Sequence, residues 1–148
     1  KTLRNLKLKI MFLWLLFLFF ILILFKDDAV FSKLSLRNAY SQNRPTFGKW
    51  IKYCYNGITL KNYSKRKKLT GTEVMAIIDS FGLPRDYKSC TKGDFVNETN
   101  LTYDCIKSVV ERNPIYFQLA KSAYLKMDIF PPKQSSLIME KLKLDYCD

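Results

Sequence analysis

Residues 10–25, IMFLWLLFLFFILILF, form an unbroken apolar run. Wound into a helix, this run has no polar face to turn toward water, so the core of a small soluble domain does not suit it. Its length corresponds to about 24 Å of helix, or about 27 Å if Leu8 joins it and Lys9 snorkels to the interface. The sequence therefore predicts a membrane-spanning helix, short enough to suit a thin early-secretory bilayer. Lys1, Arg4, Lys7 and Lys9 precede the run without an acid among them, and Lys26, Asp27 and Asp28 follow it. Cations on the leading side hold that side in the cytoplasm. On this reading 1–9 is a cytoplasmic basic tail, 10–25 a signal anchor of type II orientation, and everything beyond it lumenal or extracellular. A cleaved signal peptide competes, but its apolar core usually spans only about 7–15 residues. Lys26, Asp27 and Asp28 also separate the run from the weakly cleavage-like Val30-Phe31-Ser32. A mitochondrial inner-membrane anchor is the other alternative, motivated by the same basic, acid-free start.

A chain that opens at Lys1 reads as processed, trimmed or a fragment. After the apolar run about 120 residues remain, enough for one small domain of modest stability that crosslinks would help. The four cysteines, Cys54, Cys90, Cys105 and Cys147, all follow the run. An even count in a small exported domain predicts two disulfides. Three pairings exist, of which Cys54–Cys90 with Cys105–Cys147 is preferred, and four buried thiols are the alternative. No C-x-x-C pair points to zinc or to redox chemistry. Sequons at Asn62, Asn97 and Asn100 predict N-glycosylation on the same side. Together these features place the protein in a secretory-pathway membrane, in the endoplasmic reticulum, in the Golgi or at the cell surface.

Net charge is +12, and without the tail 21 basic residues still face 13 acidic ones. Such an excess favours anionic lipid headgroups, sulfated glycans or acidic proteins. Nucleic acid is excluded by a lumenal position. The strongest concentration of charge is the loop KNYSKRKK, with Lys61, Lys65, Arg66, Lys67 and Lys68 as candidate contacts. Its plainer reading is a solvated surface.

Residues 26–46 read as a stem and 47–148 as the folded domain. Phe47 to Tyr55 is aromatic, a strand or a helical turn, with Trp50, Tyr53 and Tyr55 better suited to a core than to a ligand. Thr70 and Glu73 form a capping box, and Val74, Ile77, Ile78 and Phe81 follow it at helical spacing. Gly82 and Pro84 end that helix. After a polar loop over 84–97, a second helix is expected from about Leu101 to Arg112. A third is expected after Asn113-Pro114, with Tyr116, Leu119, Ala120, Ala123 and Met127 as its stripe. A fourth should run from a cap at Ser135 or Ser136 to about Leu144. The expected fold class is all-α: a transmembrane helix followed by a disulfide-bonded bundle of about four short helices.

Chemistry is sparse. The chain has no histidine, which removes the common nucleophile triads and most catalytic zinc sites. Glycine-rich phosphate loops are absent, and neither a metal site nor a cofactor is expected. Asp79, the pair Asp104 and Glu111, and the pair Asp94 and Glu98 read as surface carboxylates. The expected function is non-catalytic: an accessory or interaction subunit of a membrane complex, with a protein partner in the membrane or lumen. The alternatives are the anchor, stem and first part of a Golgi-type transferase, and an accessory subunit of a mitochondrial inner-membrane complex.

Overall fold

The computed structural model describes residues 2–24, 30–54, 63–84 and 88–147, with the side chains of 22–24 and 30 excepted. Several helices begin at a short polar side chain that satisfies an amide the helix leaves free. Thr70 accepts the Glu73 amide at 3.3 Å while its own amide donates to the Glu73 carboxylate, and α4 (Gly71–Phe81) follows. Thr91 and Asp94 make the same reciprocal pair at 2.8 and 3.1 Å, opening α5 (Lys92–Thr99). Thr102 caps α6 (Tyr103–Arg112), and Ser32 caps α2 (Lys33–Ala39). The Asn43 carboxamide accepts the Thr46 amide at 2.9 Å, and α3 (Arg44–Cys54) grows from it. Each such cap is worth about 1 kcal/mol.

The remaining helices are α1 (Thr2–Leu24), α7 (Ala123–Lys126) and α8 (Pro132–Tyr146). Two short antiparallel ladders join distant segments. The strands β1 (Val30–Ser32) and β2 (Lys68–Thr70) pair with Phe31 opposite Leu69. Further on, β3 (Cys90–Thr91) and β4 (Ile129–Phe130) pair with Cys90 opposite Phe130. The Ser135 hydroxyl accepts the Cys90 amide and donates to the Phe130 carbonyl, fastening α8 to the second ladder.

Two aromatic groups fill the core. Tyr40, Phe47, Trp50 and Phe81 all touch one another, with ring centroids 5.5–5.9 Å apart. Phe95, Phe130 and Tyr124 form the second group. Residues read above as stem thus enter the core through Leu36 and Tyr40.

The expected fold class is corrected in three respects. First, the apolar run does form a helix, but among the described residues no helix is long and apolar enough to cross a membrane. Arg4, Lys7 and Lys9 lie on α1 itself. The uncharged part of this helix, 10–24, rises about 22 Å, against a hydrocarbon core of about 30 Å. The type II, single-pass signal-anchor topology drawn from its flanks falls with the span.

Second, Cys54, Cys90, Cys105 and Cys147 are all free thiols. Cys54 is 1% exposed and rests on the Met127 sulfur at 3.6 Å. The Cys90 thiol turns to the Lys88 carbonyl, and the Cys147 thiol donates to the Thr99 carbonyl. A disulfide needs its two sulfurs within bonding distance of each other, and these thiols have found other neighbours.

Third, the described residues hold eight α-helices and two ladders rather than a four-helix bundle. The expected helix after Pro114 is largely replaced by turns. The Asn113 side chain bonds back to the Val109 carbonyl, Gln118 and Ser122 take positive φ, and the Ala120 amide donates to the Tyr53 carbonyl at 2.7 Å. A backbone hydrogen bond spent on another element cannot close a local helical turn. The last helix starts at Pro132 rather than at a serine cap, because Ser135 is engaged with the second ladder.

Candidate functional site

The surface feature least compatible with water is α1. From Met11 to Phe20 every large apolar side chain is at least 46% exposed, Phe12, Trp14 and Phe19 by more than 60%. These positions fall all around the helix, so no polar side exists among them. Toward its start the same helix carries Arg4, Lys7 and Lys9. The folded part meets α1 through α4.

The second feature is a cluster of cations at the first ladder. The β1–β2 pairing puts Ser32 opposite Lys68, and the Lys33 amide donates to the Lys67 carbonyl at 3.1 Å. The Lys33 ammonium lies 3.9 Å from the Tyr63 ring centre and donates to the Tyr63 carbonyl at 2.5 Å. Burial, then the charges of Arg44, Arg37 and Arg66, hold the Lys33 ammonium below its usual pKa. Burial lifts the Tyr63 phenol to about 12. Arg66 grips Glu73 with both guanidinium nitrogens. Burial alone would raise the Glu73 carboxyl, but the bonds from Arg66 and Thr70 outweigh it and hold the group below its ordinary range.

Of the basic-loop candidates, Lys65, Lys67 and Lys68 are exposed here, whereas Arg66 is engaged with Glu73. Lys61 lies outside the described residues, as does Asn62. The loop reading missed Lys33, Arg37 and Arg44, which the ladder and α2–α3 bring to the same place. A signal existed: residues 29–72 contain 10 cations and no acid, whereas 73–148 hold 10 cations and 11 acids.

Asn97 and Asn100 are exposed, on α5 and at its left-handed C-cap. Trp50 is buried and Tyr53 half-buried, while Tyr55 lies outside the described residues. Asp94 caps α5, Glu98 pairs with Lys143 at 3.3 Å, and Asp104 and Glu111 face solvent on α6. Asp79 and Glu140 line an open groove of about 430 Å³ between α4 and α8, where Lys133 donates to the Asp79 carbonyl. Among the described residues no group of three or more His, Cys, Asp or Glu could hold a metal ion. Compared with models of known protein families, with curated proteins and with solved structures, the chain matches none.

Proposed function

We propose that this protein is a non-catalytic accessory module of a membrane-borne assembly, attached by burying α1 among lipid tails and apolar helices without crossing the bilayer. The observation that carries this reading is the exposure of apolar side chains on all sides of α1. A partner groove of a soluble protein would match a stripe; a helix apolar all round matches a medium that is itself apolar all round. An apolar surface of this extent marks an attachment site rather than a free surface. The folded part supplies a rigid aromatic core and a charged exterior, suited to contacts rather than turnover. Placement in a secretory-pathway membrane is supported by the exposed sequons at Asn97 and Asn100.

Flotation of the full chain with phosphatidylcholine vesicles tests the attachment. The chain should rise with the vesicles, and Leu15→Asp with Phe19→Asp should return it to the aqueous fraction. A wild-type chain that stays in the aqueous fraction, soluble and folded, overturns the reading. A gel shift on glycosidase treatment of protein from eukaryotic membranes tests the compartment, and unchanged mobility would remove that part.

A further inference from the structure

Seven cations, Lys33, Arg37, Arg44, Lys65, Arg66, Lys67 and Lys68, gather around the first ladder, and the stretch of sequence that supplies them, 29–72, holds no acid. They come from two segments that the β1–β2 pairing brings together. Two are fixed by other work: Lys33 sits on Tyr63, and Arg66 is bound to Glu73. Arg44, Lys65, Lys67 and Lys68 are exposed. Like charges held together cost stability unless an outside anion repays it. Lys33 reports that cost, its ammonium disfavoured by burial and by three neighbouring guanidiniums.

Location names the anion. Between Leu24, where α1 ends, and Val30, where β1 begins, the chain can span at most about 20 Å. A chain whose α1 is buried in a bilayer therefore keeps β1, and the cluster built on it, within reach of the headgroups. We propose that the cluster is a docking surface for anionic phospholipid headgroups, with Arg44, Lys65, Lys67 and Lys68 making the contacts. The inference rests on the attachment of α1 proposed above. The headgroup phosphates and carboxylates accept from these side chains, and the apolar helix and the charged surface then bind one membrane together.

The test floats the full chain with vesicles of phosphatidylcholine alone and of phosphatidylcholine with phosphatidylserine, at low and high salt. Capture by the anionic vesicles should be stronger and should lose its advantage at high salt. Replacing Arg44, Lys65, Lys67 and Lys68 by Ala should weaken that advantage by about fivefold per charge. All four are exposed, so circular dichroism should show the variant folded. Where α1 alone carries the whole chain to both vesicles, acylation of surface amines is the readout: Lys65, Lys67 and Lys68 should be protected only on anionic vesicles. Equal capture and equal labelling on the two vesicles overturn this inference and leave the attachment by α1 standing. Capture by neither vesicle overturns the attachment itself. Retention on immobilised heparin without preference for anionic vesicles assigns the cluster to sulfated glycans and overturns the lipid assignment.

Discussion

The Trp50 indole N–H donates to the Ile129 carbonyl at 2.8 Å, across 79 residues of sequence. This bond joins α3 to β4 and so connects the two aromatic groups of the core. Trp50 is fully buried, with three rings against it. Trp50→Phe keeps most of the packing and strands the bond; it should cost about 1–3 kcal/mol. Trp50→Ala also opens a cavity and should cost about 3–5 kcal/mol. Urea unfolding followed by circular dichroism measures both, and a Trp50→Phe variant as stable as wild type would show that the bond contributes nothing.

The junction of β2 and α4 makes stability sensitive to acid. Glu73 holds Arg66, returns the Thr70 cap, and has its carboxyl pKa held below the ordinary 4.5. A carboxyl depressed in the folded state stabilises fully above its unfolded value, and that contribution is lost as pH falls through the folded one. Asp94, below its ordinary 3.8 through the bonds from Thr91, acts in the same sense. Glu73→Gln should therefore lower stability at neutral pH and flatten its decline below about pH 4.5. Thr70→Ala should cost about 1 kcal/mol at neutral pH and less once Glu73 is protonated, because the Thr70 hydroxyl also donates to that carboxylate. Urea midpoints collected across an acid series check both; a parallel decline in wild type and Glu73→Gln would remove Glu73 from the account.

Four free thiols give a countable outcome. Cys90, Cys105 and Cys147 are partly exposed, while Cys54 is buried and its thiol pushed up in pKa by that burial. Maleimide labelling of the native protein without reductant should reach three sites readily and Cys54 only on unfolding, read as mass added per molecule. A mass gain of zero in denaturant without reductant would mean that the sulfurs are paired.

Gly82 ends α4 with φ 81° and ψ 168°, a region essentially closed to residues with a Cβ. A Cβ there would also lie 3.1 Å from the Lys133 Cβ on α8, and the Gly82 carbonyl receives the Tyr40 hydroxyl at 2.6 Å. Gly82→Ala should cost about 1–3 kcal/mol, measured by thermal or urea unfolding. A loss no larger than that of Gly48→Ala, where a Cβ meets open space, would show that the turn tolerates a side chain.

What the sequence alone determined is what a few neighbouring residues decide among themselves. The Thr70–Glu73 box, the stripe Val74, Ile77 and Phe81, the Gly82 stop and the body of α6 were all legible, because caps and helical periodicity act within one or two turns. The helical nature of the apolar run was equally plain. The tertiary structure decided whatever depended on partners far along the chain. Strands of two or three residues carry no periodicity of their own and exist because Phe31 meets Leu69 and Cys90 meets Phe130. The helix expected after Pro114 gave way because the Ala120 amide found Tyr53. Cysteine parity could not say that Cys54 would rest on Met127, since pairing depends on where two sulfurs end up in space. The basic cluster, half of it visible as a run of lysines, became a surface only when the first ladder brought Lys33 and its neighbours beside it.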